Sequence, residues 1–369
     1  MKIIDRHIGW SVLLTTLFGV AVLSLVLVLG NVFQELMDLM INRNLPLQSV
    51  FFFMWQALPF SLTFTIPWAL LASTLLLFGR MSADHELVAL QTCGVSVPRL
   101  CAPVFLVALA LSGVCLWINV EAAPRALQRM LTAISDFAQS NPMALFVPND
   151  VVDQFPGRKM YIGGKDGQTL TDIIIFETTK DNIPTRMIFA RKANIDRDHR
   201  TGGLLVRLEG ARFEDRDPQD PLDVVKIRNG LSFDQGTCLL SPDKRVGASA
   251  ERKKGLSART LAELSQFMAE GADGDLSKAK VEYHRRFSMA MACLAFTLLG
   301  VPLGTILHRK ETSASFGISL VAAFTYFLFI ILAQTFQSSP QAHPVFLMWL
   351  PNILFGIIGG SLFIRLGRP

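Results

Sequence analysis

The fold class the sequence predicts is an α-helical membrane protein: six transmembrane helices, three on either side of an inserted all-β, jelly-roll-like domain. Three observations predict it. Hydrophobic residues make up 51% of the 369 and charged ones only 18%, with a mean hydropathy of +0.39, which is a membrane-like balance. The charge is concentrated, since Glu121 to Arg286 holds 26 of the 35 Lys and Arg and 24 of the 30 Asp and Glu. Outside that block lie six uncharged apolar runs near or above the ~20 residues a spanning helix needs. They are Ile8 to Gly30, Val50 to Phe78, Leu100 to Ile118, Phe287 to Leu307, Phe316 to Phe336 and Val345 to Ile364. The expected domains are therefore 1–120, 121–286 and 287–369.

The charge bounds the function as well as the fold. The central block has an excess of only two positive charges, so the overall +5 and the pI near 9.0 do not point to nucleic acid, and no basic stripe is interleaved with aromatics. None of the six runs contains Asp, Glu, Lys, Arg or His, which speaks against the buried ionisable pathway of a secondary transporter. Lys2, Arg6, Arg80, Arg99, Arg309, Lys310, Arg365 and Arg368 flank the spans on one side, against Arg43 on the other. By the positive-inside rule both termini are cytoplasmic and the charged block is on the far side. The first run is longer than a signal-peptide core and lacks a small-x-small cleavage site, so it reads as an uncleaved span. Of the five cysteines, only Cys238 falls in the outer block, where it has no disulfide partner, and no metal-ligand spacing occurs.

Taken in order, the first span runs into an amphipathic continuation with Asn31, Gln34, Glu35 and Asp38. The second carries Pro59 and Pro67, each of which removes a backbone hydrogen bond and predicts a kink. Glu121 to Phe137 continues the third span as a helix with Arg125 and Arg129 on one side. Short β-type runs follow at Lys159 to Gly163, Thr171 to Glu177, Arg186 to Ile195, Leu204 to Leu208 and Leu222 to Ile227. The turn signals Gly163-Gly164, Lys165-Asp166-Gly167 and Gly202-Gly203 fall between them. Alternation in the Arg186 run is incomplete, which leaves its register open. Thr260 and Glu263 make a capping-box pattern ahead of the apolar stripe Leu261, Leu264, Phe267 and Met268. Arg285 and Arg286 then sit where the fourth span begins, on the side where the positive-inside rule does not place cations. Two readings stay open there: snorkelling to anionic headgroups, or contact with an anionic lipid-like substrate.

The stretch Gly79 to Arg99 is a charged interruption between two apolar runs and predicts a helix at about 80–94. Ser82 is its expected N-cap, Asp84 and Glu86 lie in the first turn, and Gly94 is its C-cap. Leu87, Val88, Leu90 and Gln91 follow at helical spacing. Their face would either dock on a partner or rest at the lipid interface.

No catalytic constellation emerges. Gly164-Lys165 is followed by Asp166, so no phosphate-cradling loop forms there, and H-E-x-x-H, G-x-S-x-G and G-x-G-x-x-G are absent. Asp84, His85 and Glu86 are adjacent on a helix and point apart, while His199 lies in a charged turn.

GRMSADHELVALQTCGVS after the second span, VEYHRRFSMAMACLAFTLLGVPLG entering the fourth, and the 3+3 arrangement around a β domain together resemble the LptF/LptG (YjgP/YjgQ) permeases over essentially the whole chain. The resemblance implies a bacterial inner-membrane, non-enzymatic subunit of the lipopolysaccharide export ABC transporter. Its implied partners are a second LptF/LptG-type permease, a dimeric cytoplasmic LptB-type ATPase that uses the ATP, and an LptC/LptA-type periplasmic bridge. Lipopolysaccharide would be drawn from the outer leaflet and passed to that bridge at the open edge of the jelly roll. The stretch at 80–94 becomes the coupling helix, with Asp84, Glu86, Leu87 and Leu90 facing the ATPase, and spans one and five form a lateral gate. One departure stands out: G-type members often carry a lysine near the outer end of the first span, where this chain has Gly30-Asn31-Val32-Phe33-Gln34. Either the chain is F-type, or phosphate recognition moves to Arg125, Arg129, Arg285 and Arg286, or the substrate is differently charged. The alternative from another class is a membrane-anchored periplasmic binding or sensor module without transport activity.

Overall fold

The computed structural model describes residues 2–32, 47–140, 146, 150–155, 158–167, 169–178, 184–197, 204–215, 228–240, 255–270, 276–306, 312–338 and 342–366. The expected strand at Leu222 to Ile227, Gly202 and Gly203, the polar positions Gln34 to Asp38, and the loop cations Arg43, Arg309 and Lys310 lie outside those residues. The chain divides into two compact units. One comprises Met1–Gln34, Phe51–Met130 and Gly255–Pro369, the other Glu35–Val50 and Leu131–Lys254.

Among the described residues six helices are long and apolar enough to cross a membrane, and each coincides with one of the six predicted runs. They are α1 (Lys2–Leu27), α2 (Leu47–Ala83), α4 (Val97–Trp117), α7 (Leu276–Ile306), α8 (Thr312–Thr335) and α9 (Pro344–Leu366). A short α3 (Glu86–Thr92) connects α2 to α4. A π-helical turn at Ile118–Ala122 carries α4 into α5 (Ala123–Ser140), and α6 (Leu261–Ala269) precedes α7. At α6 the capping box forms as the spacing predicts: Glu263 N–H donates to Thr260 Oγ1 and Thr260 N–H to Glu263 Oε2.

Proline does not break α2, which runs through both Pro59 and Pro67. A proline at position 67 leaves the Thr63 carbonyl without its helical donor. The thiol of Cys115 on α4 donates to that carbonyl at 3.8 Å, so a neighbouring helix supplies what the helix lost. Small residues let backbones approach elsewhere. Gly300 and Gly304 form a small-xxx-small pair on α7 whose Cα atoms press on α2: a Cβ at Gly304 would stand 3.0 Å from Phe78 Cβ and 3.1 Å from the Leu75 carbonyl. Gly359 of α9 does the same against α7, its Cβ position being 2.6 Å from the Leu298 carbonyl. Hydroxyls and amides join the remaining helices. Ser288 Oγ donates to the Met348 carbonyl at 2.7 Å, Asn352 Nδ2 to the Ser288 carbonyl at 2.9 Å, and the Tyr326 hydroxyl to the same carbonyl at 3.1 Å, which knots α7, α8 and α9 together.

The second unit is built on one six-stranded antiparallel sheet in sequential order. Its strands are β1 (Asp150–Phe155), β2 (Arg158–Asp166), β3 (Thr169–Thr178), β4 (Pro184–Arg197), β5 (Leu204–Asp215) and β6 (Arg228–Leu240). The all-β domain is as expected, and its described strands follow a meander rather than a Greek-key order. Gly163-Gly164, expected as a turn, lies inside β2 instead. The register explains why. Asp172 of β3, with φ 52°, and Gly210 of β5, with φ +64°, flank Arg191 of β4, between the paired rows Ile173–Ala190–Ala211 and Thr171–Lys192–Glu209. Across this row the buried positions step by three rather than two, from Ile173 to Leu170, Ala190 to Ala193 and Ala211 to Leu208. The row therefore inverts the pleat in several strands at once, so that one core faces both halves of the sheet. Gly163 sits in the same row, where a Cβ would meet Asp172 Cβ at 2.8 Å. A period broken in register across strands looks like failed alternation in any one of them, which is what the Arg186 run showed.

Candidate functional site

The α3 hairpin is the first place where the predicted site residues come together. α2 ends at Ala83, Asp84 N–H donates to the Arg80 carbonyl at 2.9 Å, and His85 takes a left-handed backbone with φ 57°. That reversal starts α3 three residues later than an N-cap at Ser82 would, and without a side-chain cap. Ser82 is therefore not the N-cap. It is buried, and its hydroxyl donates to the Thr305 carbonyl of α7 at 2.8 Å. The far end matches expectation: Gly94 has φ +82°, its N–H donates to the Gln91 carbonyl, and Val95 N–H donates to the Leu90 carbonyl. These two bonds make a complete Schellman motif.

The hairpin sorts its residues by side. Leu87 is 7% exposed and packs with Leu90 and Val95 on the core formed by Phe78, Met81, Val97, Leu100 and their neighbours. Leu87 and, in part, Leu90 thus pack on their own chain, which removes their apolar surface from water. The outward face carries Asp84, Glu86, Ala89, Gln91, Thr92 and Cys93, with Val88 projecting at 53% exposure. Chemically the hairpin is a rigid knob with two carboxylates and one aliphatic side chain outward.

Arg285 and Arg286 form a second cluster with Glu282. Arg285 makes a bidentate pair with Glu282, Nε to Oε2 at 2.8 Å and Nη2 to Oε1 at 2.7 Å. Arg286 is 1% exposed; its Nε donates to the same Glu282 Oε1 at 3.3 Å and its Nη2 to the carbonyls of Arg259 at 2.7 Å, Ser257 at 3.3 Å and Leu256 at 3.4 Å. Both guanidiniums are buried within the chain. Arg286 clamps the 255–259 segment to α7 and Arg285 pairs with Glu282, because a buried cation must find a counter-charge and acceptors. Gln128 of α5 joins the same clamp, donating to the Ala258 carbonyl at 2.6 Å. Glu282 went unnoticed in the sequence although the signal was there: an acid three and four residues before two arginines on one helix face.

Arg125 and Arg129 are both exposed on α5, and Arg125 is ion-paired with Glu121 one turn back. Among the described residues, no three His, Cys, Asp or Glu side chains gather as a metal site would require.

Six apolar helices in two sets of three, an antiparallel β domain between them and a short helix in the second loop define a polytopic membrane protein with an inserted β module. The model of the family described as lipopolysaccharide export system permease LptF/LptG matches residues 6–365, and the chain belongs to that family. A comparison with curated proteins finds no match.

Proposed function

We propose that this chain is one permease half of an ATP-driven exporter that lifts lipopolysaccharide from the bacterial inner membrane and hands it to a periplasmic bridge. The second half is another LptF/LptG-type permease, and ATP is hydrolysed by a dimeric LptB-type ATPase docked on the cytoplasmic side, where both termini also lie. α3 is the docking knob, with Asp84 and Glu86 as its acids and Val88 as its apolar contact. Leu87 and Leu90 act from behind by fixing the knob to the body. α1 and α8 form the lateral gate. Arg125 and Arg129, both exposed although Arg125 is ion-paired with Glu121, are the cations we assign to lipid phosphates, ahead of the buried Arg285 and Arg286. At β1 or β6, the outermost described strands of the sheet, a bridge protein of the LptC/LptA type adds its own strand.

The observation that carries this reading is the α3 hairpin in a chain of this family: its apolar side is already satisfied, so the orientation of the acidic side is set by the chain itself. The test is a mild-detergent pull-down of tagged protein, wild type against Glu86→Lys and Val88→Glu, with ATPase activity read on the eluate. Wild type is expected to bring down a second permease and an ATPase, and the variants to keep the permease and lose the ATPase. If wild type elutes alone and inactive, the anchored binding or sensor module becomes the better account.

A further inference from the structure

A cavity of about 1060 Å³ opens where the N-terminal ends of α7 and α9 meet the turn after α8. Its lining combines the apolar Leu276, Val345, Phe346 and Trp349 with the polar Lys280, His284, Ser277, Ser338 and His343. Its size is at the upper limit of the ~300–1,000 Å³ that suits a small metabolite. The described lining contains a lysine, two imidazoles and two hydroxyls, and no carboxylate.

Depth fixes what such a wall can meet. Lys280 lies seven residues before Phe287, where the apolar run begins, which is roughly 10 Å along the helix axis. That is headgroup depth for a span of this length, with a side chain long enough to adjust. Among the described residues Lys280 has no ion pair, in contrast to Arg285 and Arg286 on the same helix. Trp349 Nε1 donates to His284 Nδ1 at 3.3 Å, and since an indole N–H can only donate, His284 Nδ1 is the acceptor and the ring proton resides on Nε2. The imidazole thus keeps one N–H for a ligand. α9 points its N-terminal, partially positive end at the same space through Pro344 and Val345.

We propose that this cavity is a binding site for an anionic phospholipid of the surrounding leaflet. The headgroup phosphate is held by Lys280 with His284 and the two serines, and the upper acyl chain lies along Val345, Phe346 and Trp349. The site depends on the six helices crossing the membrane and not on the export reading. A lipid there wedges the α7 and α9 ends and the turn after α8 into one assembly.

The experiment uses the full chain with Trp349 as its sole tryptophan (Trp10, Trp55, Trp68 and Trp117 changed to Phe, retained only if monodisperse), reconstituted in nanodiscs. The nanodiscs contain rising fractions of acyl-brominated phosphatidylglycerol or phosphatidylcholine. Half-quenching of Trp349 is expected at an about fivefold lower fraction of brominated phosphatidylglycerol, the effect of one cation near an anionic lipid. Lys280→Gln should abolish that preference and Lys280→Arg should retain it. Equal quenching by both lipids, or a preference that survives Lys280→Gln, overturns the proposal. So does loss of the preference on adding millimolar glycerol phosphate, which would assign the site to a soluble phosphate ester.

Discussion

Changing Glu282 to Ala strips two buried guanidiniums of the only carboxylate they share. Glu282 and Arg285 are each 8% exposed and Arg286 1%, so water cannot replace what is lost. Two unit charges ~4 Å apart attract by about 4 kcal/mol at an effective dielectric of ~20, and much of this offsets the cost of desolvating them. What the substitution exposes is that desolvation cost, which for removing one member of a buried pair is about 3–5 kcal/mol. Glu282→Gln keeps the shape and one acceptor oxygen, so its cost should be smaller, about 1.5–3 kcal/mol for the loss of hydrogen bonds to a charged group. In a chain of this size roughly 2 °C of Tm corresponds to 1 kcal/mol. Thermal unfolding in detergent, followed by the monodisperse fraction, should therefore show Tm falling about 6–10 °C for Glu282→Ala and by about half that for Glu282→Gln. A Tm within about 2 °C of wild type for Glu282→Ala would refute the clamp, since it would mean the arginines find other partners at no cost.

Three further outcomes are expected. Gly300→Val should lower the yield of folded protein, with about 1–3 kcal/mol of overpacking strain against Thr74 and Leu71, and Thr74→Ala should partly rescue the milder Gly300→Ala when folded yield is measured. Gly210→Val meets both a left-handed backbone and the Arg191 side chain 2.7 Å away, so it should destabilise the β unit by about 2 kcal/mol or more in a denaturant titration, whereas a change at Gly236, which has open space, should cost far less. An impermeant maleimide should reach Cys238 from the periplasmic face and Cys93 only once the cytoplasmic face is opened; the reverse pattern would invert the proposed orientation. Burial pushes the Cys238 thiol up from its ordinary range, so less of it is thiolate at neutral pH and its labelling should speed up as pH rises.

The spans were legible because a bilayer imposes one requirement on sequence, an uncharged run of a given length, and each of the six runs meets it without help from its neighbours. The Schellman end of α3 and the capping box of α6 were legible for a similar reason, both being local. What could not be read was anything set by a second element. Ser82 has the chemistry of an N-cap, but its hydroxyl found the Thr305 carbonyl, 223 residues away. Leu87 and Leu90 have the spacing of a docking face, and only the packing of α2 and α4 shows that the face is already occupied. Arg285 and Arg286 fall where the positive-inside rule places no cations, and their partners, Glu282 and for Arg286 the carbonyls of the 255–259 segment, come partly from a second element. The pleat inversion through Asp172, Arg191 and Gly210 depends on register between strands, which a single strand does not encode.

α7 ties these observations into one mechanical statement. Its 31 residues make a rod of roughly 46 Å. At one end the Thr305 carbonyl receives Ser82, in the last turn of α2 before the α3 knob. One turn in, Gly304 and Gly300 leave no gap between α7 and α2. At the other end Glu282 and Arg286 hold the segment that leads in from residue 255. These contacts tie the last turns of α2 to α7, and sliding α2 along α7 would require a Cβ-free contact to be replaced by one that clashes. A displacement of α2 at that point breaks the buried Ser82 hydrogen bond or moves the adjoining end of α7. Severing the Glu282 clamp leaves α3 and the Gly300 contact untouched. Under the proposed function, Glu282→Gln weakens the Arg285–Glu282–Arg286 cluster and leaves α3 unchanged, so it is expected to retain the ATPase in the pull-down as wild type does and to release less lipid per ATP hydrolysed in proteoliposomes.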